Sequence, residues 1–173
     1  RTGLADLGLF WTRFHAGERD QAIAALSEAV KRRPGFLHAR GVLGQAYNEV
    51  GEHEQAKQVW EDYLATSPGH PFALTQLGYT MAKLGDVEGA VAKTAEAIAR
   101  VPDDATLYIE RASREIDGKK WKAAEVSLRK AMELDPKLAV AYLRLGYVPA
   151  PLAIYRGTRK LEPGQSLCIG LGG

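Results

Sequence analysis

Cysteine is nearly absent: Cys168 stands alone, so neither an internal disulfide nor a cysteine-rich zinc site can form. An excess of one charge sign is missing too. Lys and Arg number 23 against 21 Asp and Glu, a formal net charge of +2, without the basic surplus that phosphate-driven binding to nucleic acid or an anionic membrane relies on. No apolar run approaches the roughly 18 residues of a spanning helix, and the opening RTGLADLGLFWTRF lacks the successive basic, apolar and small-residue segments of a secretion signal. Neither membrane insertion nor nucleic acid is therefore expected. Because the chain opens at Arg1 rather than Met, that absence carries little weight for compartment; the single cysteine suits a reducing cytosol without demanding it.

Catalytic patterns are missing as well. His15, His38, His53 and His70 fall in no metal-ligand spacing, and there is no H-E-x-x-H, no glycine-rich phosphate loop and no G-x-S-x-G turn. The reading is of a chain that is not an enzyme and holds no cofactor or metal. What is present, 46% hydrophobic and 25% charged residues in 173, suits one soluble globular or repeat domain.

A period runs through it. Pro34, Pro68, Pro102 and Pro136 are evenly spaced, and the same interval links Ala22, Ala56, Ala90 and Ala124. It also links Gly17, Gly51 and Gly85, with Gly118 one residue short of the next place. Leu43-Gly44, Leu77-Gly78 and Leu145-Gly146 share the register, with Arg111-Ala112 in the remaining slot. Within each period apolar residues recur at steps of three and four, as in Ala22, Leu26 and Ala29, so two amphipathic helices are expected per unit. Gly51 and Gly85 supply the positive φ that ends the first helix, and the acidic runs GEHE and PDD suit helix N-termini. The prolines end the second helix. Gly44 and Gly78 face Ala56 and Ala90 as small partners, with Tyr47 and Trp60 filling the gaps; Phe10 stands where units two and three carry Gly. One unit cannot offset its ordering entropy with one small apolar face, so stacking is the stabilising event. The basic run Lys119-Lys120-Trp121-Lys122 is read as the opening of a second helix, with Trp121 over the interhelical seam.

These marks, fullest in LGQAYNEVGEHEQAKQVWEDYLATSP, resemble the tetratricopeptide repeat (TPR) over about residues 3–138. Unit three departs from the pattern at Met81 and Thr94, unit four at Arg111 and Glu115. The resemblance implies an all-α, right-handed α-solenoid of four helix-turn-helix units, 3–36, 37–70, 71–104 and 105–138, with first helices lining a concave face.

First-helix residues not needed within a pair are expected to face that groove: Leu7, Trp11, Phe14 and His15, then His38, Val42, Gln45, Asn48 and Glu49. Phe72, Gln76, Tyr79 and Lys83 follow, then Ile109, Glu110, Ser113 and Asp117. Aromatic faces mixed with amide and charged ends suit a peptide segment of a partner protein, so the leading expectation is a noncatalytic interaction scaffold. The resemblance also implies what is not bound. Relatives that grip a chaperone's terminal carboxylate use Lys and Asn at places where this chain has Leu7 with Trp11, Gly41 with Gln45, and Thr75 with Tyr79. That clamp cannot be built.

After Pro136 a partial fifth helix over 139–148 begins with AVAYLRLG and gives way to an irregular Pro- and Gly-rich tail, 149–173. The stretch AYLRLGYVPAPLAIYRGTRKLEPGQSL resembles a segment of the glutamine amidotransferase domain of asparagine synthase-like enzymes. That chemistry needs an N-terminal cysteine, which Cys168 does not match, so no catalytic residue is carried over. Two alternatives accompany the leading reading: an accessory region of a larger enzyme, with the tail an incomplete remnant, or a structural spacer. In the spacer reading Leu4, Leu7 and Phe10 are exposed and drive self-association through open repeat ends.

Overall fold

The backbone makes a left-handed step at a fixed interval and also turns left-handed, off that interval, at Gly69. A computed structural model describes residue 10 and residues 13–138, and in it Gly17, Gly51, Gly85 and Lys119 all have φ between 57° and 96°. Each step closes a helix in the same way. The Gly51 N–H donates to the Asn48 carbonyl and the Glu52 N–H to that of Tyr47; Gly85 and Asp86 donate likewise to Ala82 and Met81, and Lys119 and Lys120 to Ile116 and Glu115. Lys119 thus does what the glycines do. Gly118 has φ −80° and is small for another reason, since a Cβ there would lie 2.6 Å from the Val87 methyl.

Between the steps lie α1 (Arg19–Arg32), α2 (Leu37–Val50), α3 (His53–Thr66), α4 (Pro71–Lys83), α5 (Val87–Arg100), α6 (Ala105–Asp117) and α7 (Trp121–Leu134), with no strand among the described residues. Helices α1, α3, α5 and α7 stop at Arg33, Ser67, Val101 and Asp135, each one residue before a proline. All four share an extended φ of −132° to −144°, as the steric demand of the proline ring requires. At the other ends, the Asp86 and Asp104 carboxylates accept from the Gly89 and Thr106 amides at 2.9 Å, while Glu52 makes no such cap bond. The basic run does open α7. Trp121 is half-buried there, and Lys120 reaches across to pair with Glu88.

Packing within pairs is not uniform. In α2–α3 the Trp60 indole, fully buried, fills the space over Gly44. In α4–α5 the wall is backbone: a Cβ on Gly78 would meet the Ala90 carbonyl oxygen at 3.0 Å, and Thr94, at the position of Trp60, is small and bonds that same carbonyl. In α6–α7 the departures at Arg111 and Glu115 form a polar seam. Glu115 is 1% exposed and accepts from Arg111 Nε at 2.9 Å and from Ser127 Oγ at 2.7 Å. Trp60 and Tyr63 with Tyr47, and Leu128 with Ala112 and Ala124, make separate cores, as expected when each layer is sealed by its neighbour.

Helices α2, α4 and α6 also touch each other in succession, whereas α3, α5 and α7 do not. The described residues therefore form an α-solenoid that closes toward the side of α2, α4 and α6. Asn48 ties two of these helices together: its Nδ2 donates to Thr80 Oγ1 at 2.9 Å and its Oδ1 lies 3.0 Å from the same hydroxyl. Phe10 corrects one expectation. It is 5% exposed and packed with Phe14, Leu26 and Val42, so it offers no open apolar end. Leu4, Leu7, the partial fifth helix over 139–148 and the tail over 149–173, with its amidotransferase resemblance, lie outside the described residues.

Candidate functional site

The side of the solenoid lined by α2, α4 and α6 carries a cavity of about 290 Å³. Its walls are Gln45, Asn48 and Glu49 from α2, Gln76 and Tyr79 from α4, and Glu110 and Arg114 from α6. The period places them. Gln45 and Tyr79 occupy the same position in successive helices, as do Gln76 and Glu110, so one repeated helix face is presented three times side by side.

Two cations bracket the aromatic ring: Lys83 Nζ is 5.3 Å from the Tyr79 centroid and the Arg114 guanidinium 5.5 Å. Arg114 is 8% exposed. Its Nη2 lies 3.6 Å from Glu110 Oε2, beyond hydrogen-bond length, and its Nε is buried without a partner. Burial pushes the Glu110 carboxyl above the usual carboxylate range; Arg114 opposes that shift and Asp104 adds to it.

Of the residues expected in the groove, Gln45, Asn48, Gln76, Tyr79 and Glu110 meet in this cavity, with Glu49 beside them. Asn48 has its amide engaged by Thr80 and lies 3.2 Å from His53 Nδ1, so it braces the wall. Lys83 is exposed and reaches the site through Tyr79. Ser113 is half-buried and His38 exposed, both outside the cavity walls. Phe72, 43% exposed, is also outside them; its ring meets the Trp60 indole edge-on at 5.7 Å. Three assignments are overturned. Phe14, Val42 and Ile109 are 1%, 6% and 2% exposed, because first-helix positions between two layers are covered from both sides. Trp11 lies outside the described residues.

Sequence reasoning misses Arg114. The available signal is its register: it occupies the place held by Ala46 and Thr80, both fully buried, so a charged residue there has to be accommodated inside the array. Among the described residues no three His, Cys, Asp or Glu side chains gather to hold a metal ion, and no helix is long and apolar enough to cross a membrane.

Comparison with known proteins agrees with this architecture. A family model described as tetratricopeptide repeat matches residues 13–65. No curated protein matches in sequence. Among solved structures, MamA (residue 41 to the end) from Desulfovibrio magneticus RS-1 superposes with a TM-score of 0.66 at 18% identity, over 82% of this chain and 90% of that one. TTC0263, a thermophilic TPR protein of Thermus thermophilus, gives a TM-score of 0.66 at 25% identity, over 81% and 79%. The first TPR of Spaghetti (RPAP3), bound to the HSP90 peptide SRMEEVD, gives 0.56 at 19%, over 63% and 88%. The family model marks residues 13–65 as tetratricopeptide repeat, and the solved structures show that the described residues share the helical solenoid fold.

Proposed function

We propose that this chain is a noncatalytic protein–protein interaction module that holds a peptide segment of a partner along α2, α4 and α6. The observation that carries this reading is the composition of the 290 Å³ cavity: three amide side chains, one aromatic ring and charges of both signs, converging from three successive helices. The amides of Gln45 and Gln76 match the alternating donors and acceptors of an extended backbone, with Asn48 bracing the wall, and a ring flanked by cations offers a stiff contact surface. Fold alone does not assign a function, so the weight rests on this site. The relative bound to the peptide SRMEEVD supports the general mode, a peptide held by such an array. The clamp positions occupied here by Gly41, Gln45, Thr75 and Tyr79 argue for a different peptide.

A displayed library of random peptides, selected on the chain and on a Gln76→Ala/Tyr79→Ala double variant of unchanged helicity, tests the reading. Peptides enriched by the parent and lost by the variant support it. Equal capture by both, or no enrichment by the parent, overturns it.

A further inference from the structure

We infer that Arg114 reads a carboxylate carried by the bound peptide, and that Glu110 is the internal carboxylate this ligand displaces. The inference deepens the docking reading by naming the chemistry of one contact. A guanidinium has five N–H donors and keeps its charge at any ordinary pH, so removing it from water without acceptors is costly. Arg114 is 8% exposed and makes no hydrogen bond through its side chain within the described residues, its Nε being buried without a partner. Its one ion-pair contact is the 3.6 Å approach to Glu110 Oε2. Tyr79 holds the guanidinium by its ring, leaving the edge of the planar fork for an acceptor. Arg114 lines the cavity, so an acceptor can reach it from there.

The walls select a single negative charge over a phosphate. Glu49 and Glu110 share the walls with one guanidinium, Lys83 lying beyond the Tyr79 ring, so a dianion would face both carboxylates with Arg114 the one cation in the walls. One incoming carboxylate in place of Glu110 leaves the local charge count unchanged once Glu110 turns outward, and its side chain, already 33% exposed, has solvent to turn into. A bidentate pair then replaces a contact too long for a hydrogen bond. The carboxylate comes either from an internal Asp or Glu of the peptide or from its C-terminus. Because Arg114 takes the place of Ala46 and Thr80, this subsite uses a position other than the clamp positions that Gly41, Gln45, Thr75 and Tyr79 leave unfilled.

The test follows the Arg114 Nε–H resonance of the ¹⁵N-labelled chain, assigned by its loss in Arg114→Gln. Three probes are titrated at constant ionic strength to about 100 mM: N-acetyl-aspartate N-methylamide, N-acetylglycine, and the neutral N-acetyl-asparagine N-methylamide. Saturable movement with at least one carboxylate and none with the neutral amide is expected, the tighter carboxylate identifying the source. Absence of saturable movement with both carboxylates, or equal movement with the amide, overturns the inference. Glu110→Gln is expected to tighten carboxylate binding at least about threefold by removing the competitor; unchanged or weaker binding overturns the displacement. These small probes need no peptide to be captured. Failed peptide selection with a responsive Arg114 therefore sinks the docking reading and leaves Arg114 a carboxylate site without a peptide, whereas selected peptides with a silent Arg114 sink only this inference.

Discussion

The Trp60 indole occupies the space that a side chain on residue 44 would need: a Cβ on Gly44 would lie 2.5 Å from Cε2 and 2.7 Å from Cζ2 of the ring. The ring is fully buried and rigid, so it cannot give way. Gly44→Ala is expected to lose about 1–3 kcal/mol of stability through overpacking, even though alanine gains up to about 1 kcal/mol over glycine in a helix interior. Gly41, one turn earlier on the same helix, is the control. There a Cβ would meet Tyr63 at 3.7 Å, an ordinary contact, so Gly41→Ala is expected to be neutral or stabilising. Urea unfolding of the two variants decides, and Gly44→Ala matching Gly41→Ala would refute the contact.

Lys119 holds a left-handed backbone at φ 57° with a side chain that faces solvent. Lys119→Gly is expected to stabilise the chain by up to about 1 kcal/mol, since only the Cβ clash of the left-handed region is removed. Gly51→Ala and Gly85→Ala introduce that clash and are expected to cost about 1–2 kcal/mol each. Thermal unfolding by circular dichroism measures all three.

Ser127 holds one oxygen of the buried Glu115 carboxylate. Ser127→Ala leaves that oxygen without its donor and is expected to cost about 1–3 kcal/mol. Arg111→Ala removes the other donor together with the cation that balances this buried charge. It is expected to cost more, about 3–5 kcal/mol, and the reverse order in urea unfolding would contradict the polar seam.

Glu110 titrates above the ordinary range because burial disfavours its charge. A carboxyl raised in the folded state contributes stability that is fully present below its unfolded pKa and lost as pH rises through the folded one. Glu110→Gln is therefore expected to be more stable than the parent at neutral pH, with the difference vanishing below about pH 4. Melting temperatures across that window check the sign; an advantage only in acid would reverse it.

Much of the fold was legible because prolines and glycines act on their own backbone. Pro68 constrains Ser67 whatever surrounds it, and Gly51 turns left-handed by itself. Lys119 was harder to read, since its conformation is imposed by the two helices it joins. The cavity was legible where polarity and helix face agree, as for Gln45, Gln76 and Tyr79. It failed where a residue type tolerates two environments. An aromatic such as Phe14 serves a groove or a core equally well, and only the layers on either side of it decide. Arg114 reads as a solvated charge on its own helix, and its burial depends on Tyr79 from the adjoining pair.

The cavity walls belong to three helices that meet one another only in succession, α2 with α4 and α4 with α6. Gln45 and Arg114 are thus joined through two junctions in series, with no strut bridging α2 to α6. A pull applied along the axis of the array would flex both junctions together and part these two walls more than any neighbouring pair. In the proposed docking reading, load along the axis and hold on a bound peptide are therefore coupled: stretching the array parts the walls that would hold it.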